Sequence, residues 1–182
     1  MLLLKTNLAY KICLFGDKQV GKSSLVNRFV TNRFDFDLKP TLGAAIYVKN
    51  LELNNKAIKL QIWDFGGEEK FRFLLKSYAH GSFGGIFMFD ITNVHSLNKI
   101  YDWLSVFRDS LDNTFKDAPI LLVGGKSDLK NQRIFLNDDI KDFLPSLKLF
   151  DYIECSSKTG ENVNIVFETI VSKIMETYNA EE

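Results

Sequence analysis

An α/β fold, with a parallel sheet covered by helices on both faces, is predicted by two patterns that alternate along the chain. Continuous apolar runs of strand length, Lys11 to Phe15, Ile86 to Phe89 and Ile120 to Val123, have the near-uniform hydrophobicity of strands buried on both sides. Between and after them lie segments whose apolar residues return every three or four positions. Leu97, Ile100, Leu104, Phe107 and Leu111 make one buried stripe, and Val163, Phe167, Ile170 and Ile174 make another.

The first strand runs directly into Gly16-Asp17-Lys18-Gln19-Val20-Gly21-Lys22-Ser23, and the amphipathic run Leu25, Val26, Phe29, Val30 follows. A glycine at each end lets the backbone turn its N–H groups inward around phosphate oxygens. Lys22 adds a point charge for the outer phosphates, Ser23 a hydroxyl ligand for Mg²⁺, and the helix start its positive end. A nucleoside triphosphate is the expected ligand. Thr31 to Gly43 is long, charged and aperiodic, as befits a functional loop beside a phosphate site. Between Ala45 and Trp63 the pattern becomes alternation around Asn54-Asn55, which predicts an antiparallel hairpin at the sheet edge.

Trp63-Asp64-Phe65-Gly66-Gly67 closes the second arm of that hairpin with an aspartate able to hold the Mg²⁺ hydration shell. The strand Ile120 to Val123 leads through Gly124-Gly125 into Lys126-Ser127-Asp128. A carboxylate there can accept both the N1–H and the 2-amino group of guanine, while the Lys126 stem lies along the purine face. Adenine offers neither donor.

The bulk properties exclude several alternatives. At 182 residues the chain is the size of one domain, with a core about residues 10–176, and Lys plus Arg balance Asp plus Glu at 23 each. No global field draws it to nucleic acid or to an anionic membrane. Cys13 and Cys155 are too few for a disulfide framework, and His80 and His95, on either side of a buried strand, suggest no metal or acid–base pair. The apolar start, Met1 to Leu4, is shorter than a signal-peptide core; Leu2 is not the glycine of a myristoylation site, and the last residues carry no prenylatable cysteine. A cytoplasmic monomer without an intrinsic membrane anchor is the expectation.

Taken in order, these motifs resemble the Ras superfamily of small GTPases, and most closely its Rab branch, from Tyr10 to Glu176. The resemblance implies a P-loop NTPase G domain with a six-stranded, mostly parallel sheet and five main helices. Residues Gly16 to Ser23 with Ser24 then contact the phosphates, and Mg²⁺ is held by Ser23, Thr41 and Asp64. Thr41 corresponds to the first-switch threonine that senses the γ-phosphate, and Gly67 to the second-switch glycine whose amide touches it. Phe34 matches an aromatic packed on guanine, while Ser156, Ser157 and Lys158 belong to the loop that completes the base site beside Lys126 and Asp128. Ile46, Trp63 and Tyr78 match a hydrophobic triad read by effector proteins, with Ile46 in place of a phenylalanine. Exchange factors and GTPase-activating proteins are further implied partners.

Three departures stand out. Glu68 replaces the glutamine that positions the attacking water, so Lys22, Thr41, Gly67 and Glu68 are the candidate catalytic group and slow hydrolysis of GTP to GDP is expected. Lys18 and Gln19 crowd the space of a partner's arginine finger. Gly125 removes the asparagine that braces the phosphate loop in the family, which implies faster nucleotide release. Two rival readings remain open from the residues: a guanine-nucleotide module with little hydrolysis, and a P-loop kinase or ATPase that takes a different base.

Overall fold

The structure is a computed structural model, and it describes residues 7–134 and 137–178. The expectations that concern residues 1–5 and 179–182 lie outside the described residues. The chain runs β1 (Asn7–Phe15), α1 (Lys22–Thr31), β2 (Ala44–Leu53), β3 (Lys56–Phe65), α2 (Arg72–Tyr78), β4 (Gly84–Asp90), α3 (Val94–Asn98), α4 (Ile100–Asp109), β5 (Ile120–Gly125), α5 (Asn137–Phe143), β6 (Asp151–Glu154) and α6 (Val163–Tyr178). Single 3₁₀ segments span Glu69–Phe71 and Ser127–Gln132.

The six strands form one sheet in the order β2-β3-β1-β4-β5-β6. The β2–β3 pair is antiparallel and every other neighbouring pair is parallel. Asn54 and Asn55 join β2 to β3 with φ of 51° and 61°, the left-handed pair of a type I′ hairpin turn, and asparagine tolerates both. Because β1 has β3 on one side and β4 on the other, strand order reverses at its carboxyl end. Such a reversal opens a crevice in parallel sheets, and Gly16 to Gly21 lies there.

Successive residues of β1 serve two cores. Ile12 and Leu14 join α1 and α6 on one face, where Phe29 stacks on Phe167 with ring centroids 3.9 Å apart. Cys13 and Phe15 join α2, α4 and α5 on the other, where Phe15 stacks on Phe107 at 4.8 Å. Gly85 makes room for that second stack, since a Cβ there would stand 2.9 Å from carbon atoms of both rings.

One expectation changes. The stripe from Leu97 to Leu111 predicts a single helix, but it breaks at Lys99, whose φ of −83° and ψ of 5° are non-helical, and α4 ends at Asp109. The first arm is fixed locally: the Asn93 side chain accepts the His95 N–H at 3.1 Å, and Ser96 Oγ donates to the Asn93 carbonyl at 2.6 Å while accepting the Asp90 N–H at 3.0 Å. The second arm follows Trp103 and Phe107 into the core. Counted as one bent helix, α3 and α4 leave five helices among the described residues, as the resemblance implies. Helices α2 and α5 and strand β6 have no periodic stripe in the sequence; α2 buries only Leu75, and β6 is four residues long.

The close approach at Gly85 gives a direct test of packing. Gly85→Ala should destabilise the fold by about 1–3 kcal/mol through overpacking, read as a lower urea midpoint at unchanged slope.

Candidate functional site

The phosphate loop is shaped by contacts that exclude side chains. Gly16 has φ 140°, and a Cβ on it would stand 2.2 Å from the Met88 carbonyl oxygen. Gly21, at φ 105°, opens α1 as its N-cap without a side-chain hydrogen bond. Gln19 is left-handed between them, so the loop alternates the conformations that form an anion-binding nest. Lys22 folds back over this loop and donates to the carbonyls of Gly16 at 3.0 Å and Asp17 at 2.7 Å. Burial pushes its pKa down to about 8, although the charges of Asp64 and Asp17 act in the opposite direction. An anion in the nest would restore what burial removes.

Three oxygen-bearing side chains meet beside Lys22. The Ser23 hydroxyl donates to Asp64 Oδ2 at 2.5 Å, and the Thr41 hydroxyl lies 3.2 Å from that same oxygen and 2.6 Å from Ser23 Oγ. Asp64 is fully buried, and its other oxygen, Oδ1, has no hydrogen-bond partner. Desolvation raises its pKa against the two hydroxyls and Lys22. Hard oxygen donors with an orphaned carboxylate oxygen fit a magnesium ion with part of its water shell.

The Gly43–Gly67 region closes this arrangement from above. The Gly66 N–H donates to the Gly43 carbonyl at 2.7 Å, and a Cβ on Gly67 would stand 2.3 Å from the Asp17–Lys18 peptide. Only a glycine lets the second loop approach the first so closely. The Glu68 carboxylate pairs with Lys70 at 2.8 Å and is 39% exposed. Lys18, Gln19, Lys22, Ser23, Thr41 and Glu68 all border one cavity of 560 Å³, which also reaches Gly21, Ser24, Gly67 and Lys126.

Phosphate loop and guanine-type motif thus share one hollow through Lys22 and Lys126. Lys126 is left-handed at φ 67° and pairs with Asp90 at 2.6 Å. Ser156 Oγ donates to Asp128 Oδ1 at 2.6 Å and accepts the Thr159 N–H at 3.1 Å, so the loops that carry Asp128 and Ser156 are joined. Asp128, Ser156, Ser157 and Lys158 stand outside the lining of the 560 Å³ cavity. Phe34 is half-buried, packs edge-on against Phe36 at 4.8 Å and borders a separate hollow with Asn27 and Thr31.

The sequence reading missed Met88, Asp90 and Lys99. Asp90 had a visible signal, because it ends β4 much as Asp64 stands one residue before the end of β3. Lys99, at the helix break, reaches Asp17 Oδ2 at 3.6 Å and has no local signature.

The three surface residues cluster. Ile46 sits opposite Trp63 in the β2–β3 register, and Trp63 lies 5.4 Å from Tyr78 between ring centroids. Ile46 and Tyr78 are 55% and 46% exposed, whereas Trp63 is half-buried with an unpartnered Nε1. Lys11 passes 4.4 Å from the Trp63 ring and donates to the carbonyls of Tyr78 at 2.6 Å and His80 at 2.8 Å. Cys13 and Cys155 are both free and buried, and His80 pairs with Asp112 at 3.4 Å. No helix among the described residues is long and apolar enough to cross a membrane.

Comparison with known proteins agrees with this geometry. The profile of the Ras family matches residues 11–176. The chain is 35% identical over 175 residues to Ras-related protein RABA4b of Arabidopsis thaliana, covering 96% of the chain and 76% of that protein. The same identity and coverage hold for Ras-related protein Rab11A of Lotus japonicus. Ras-related protein Rab-11A of Dictyostelium discoideum is 34% identical over 165 residues, which cover 91% of the chain and 75% of the relative. With a phosphate loop, an oxygen triad and a lysine–aspartate motif gathered at one sheet edge, the chain belongs to the Ras superfamily of small GTPases, close to its Rab members.

Proposed function

We propose that the chain is a GTP-dependent switch that hydrolyses its nucleotide slowly and offers Ile46, Trp63 and Tyr78 to an effector in the GTP state. The observation that carries this reading is the Ser23–Thr41–Asp64 triad, with an orphaned carboxylate oxygen, next to Lys22 in a cavity that reaches Lys126. Ser23, Thr41 and Asp64 would hold Mg²⁺, which when bound neutralises charge on the transferring phosphoryl group.

The protein's own groups perform the rest. Backbone N–H groups of Asp17 to Ser23, with Ser24 at the start of α1, cradle the phosphates, and Lys22 supplies a buried positive charge to their outer oxygens. Asp128 and Lys126 select and cover the guanine, supported by Ser156, Ser157 and Lys158, and Phe34 flanks it. Thr41 and the Gly67 amide follow the γ-phosphate, so its loss frees both loops. Water attacks the γ-phosphorus, the bond to the β–γ bridging oxygen breaks, and the water proton passes to phosphate.

Glu68 accepts a hydrogen bond from that water but, ionised, donates none to a phosphate oxygen. It also sets a like charge near the triphosphate, a repulsion of roughly 1 kcal/mol in water and about 4 kcal/mol at an effective dielectric of 20 for a separation of ~4 Å. Its exposure and its pairing with Lys70 favour the lower figure. The second reading, a nucleotide-holding module with little hydrolysis, is favoured by Glu68 and by Lys18 on the cavity rim.

Glu68→Gln should raise the single-turnover rate of phosphate release by about tenfold, the effect of about 1.4 kcal/mol in the barrier. No release from either protein at any enzyme concentration would select the module reading. Chelation of Mg²⁺ with EDTA should accelerate release of labelled GDP; an unchanged rate would remove the triad from metal binding. In competition binding, GTP but not ATP should displace labelled GDP, and Asp128→Ala should erase most of that preference. Equal displacement by both in the unmodified chain would return the assignment to an adenine nucleotide.

A further inference from the structure

Met88 lies within β4, is 1% exposed, and reaches both ends of the phosphate loop. Its carbonyl oxygen is the atom 2.2 Å from a Cβ on Gly16, and its terminal methyl carbon lies 3.4 Å from a Cβ on Gly21. The same methyl is 2.4 Å from where a Cβ on Gly125 would stand, with the Val20 carbonyl oxygen 3.0 Å from that point. One unbranched thioether arm therefore fills the wedge between β4, the loop that receives phosphate and the strand end that carries Lys126 and Asp128.

We propose that Met88 is a positioning residue that holds the phosphate loop to the base loop by packing, and that Met88 and Gly125 form a coupled pair. This inference rests on the guanine-nucleotide reading above. A Cβ at 125 would stand 2.4 Å from the Met88 methyl and 3.0 Å from the Val20 carbonyl oxygen, so an asparagine there displaces the end of that flexible arm from the wedge and presses on the phosphate loop. Shortening the arm alone leaves a void under Gly21, and adding an asparagine alone drives the methyl out from under Gly21, so either change loosens the packing between the two loops. Made together, the two changes exchange packing for a hydrogen bond between an asparagine amide and the Val20 carbonyl.

The experiment is a double-mutant cycle on the full chain with Mg²⁺, in which the release rate of fluorescently labelled GDP is measured for wild type, Met88→Val, Gly125→Asn and the double variant. Each single variant should release faster, and the double variant should release about tenfold more slowly than the product of the single effects, the size of coupling seen between residues in contact. Gly125→Asn alone should also narrow the preference for GDP over inosine diphosphate, because the loop that carries Asp128 loses its packing against the phosphate loop; the double variant should restore it. A merely structural role would lower the melting temperature and leave that preference unchanged. Met88→Leu keeps the core volume without the terminal methyl, and repeats the cycle if valine proves too small to fold. Additive release rates, or slower release from Gly125→Asn in the Met88 background, would overturn the pairing. Failure of wild type to bind labelled GDP would overturn the nucleotide reading itself.

Discussion

A carboxylate and an ammonium group share one nearly dry pocket, and the arrangement of the site follows from keeping both charged. Asp64 is fully buried and Lys22 is 5% exposed. Desolvation weakens the ionised form of each, and each opposes that effect in the other. A single buried charge costs several kcal/mol, and a pair recovers that cost only with good geometry and further hydrogen bonds. Two hydroxyls and two carbonyls supply part of them. What remains is an orphaned oxygen on one side and a nest of N–H groups on the other, complementary to a cation and to a polyanion. The β1–β3 register makes this possible, because Leu14 pairs with Asp64 two residues before the glycine that starts the loop.

Around that pocket, ion pairs set position more than stability. Lys126 with Asp90, Lys99 with Asp17 and Lys70 with Glu68 each tie a loop to its neighbour. Partly exposed pairs of this kind contribute roughly 0–1 kcal/mol. Their value is geometric: Lys126 is directed by a strand-end carboxylate, and the break between α3 and α4 is directed at the phosphate loop.

What could be read from the residues was whatever repeats or has fixed spacing. Strands β1, β4 and β5, the asparagine-turned hairpin and the stripes of α1, α4 and α6 all bury apolar residues at regular intervals, so local pattern and tertiary packing agree. The bend at Lys99 was hidden because the apolar period continues through it, and side-chain bonds from Asn93 and Ser96 decide the matter. The glycine loop after β1 and the Ser23, Thr41 and Asp64 candidates could be picked out because fixed spacing after strand ends marks them, and the structure brings the three side chains within 3.2 Å of one another. Met88 was not, because a methionine in an apolar strand looks like core until the glycines above it are placed. Phe34 illustrates another limit: its ring packs locally against Phe36, and nothing in the chain's own contacts draws it to the main cavity.

Lys11 gives α2 a fixed end. By holding the carbonyls of Tyr78 and His80 from the neighbouring strand, it moors the helix at its last turn, while at the other end Glu68, just before the 3₁₀ turn, borders the cavity. A segment tethered in this way swings like a gate on one hinge post. Movement about such a post would be widest at Glu68 and smallest at Tyr78, so a rearrangement at the cavity would reach the aromatic pair as a small tilt rather than a translation.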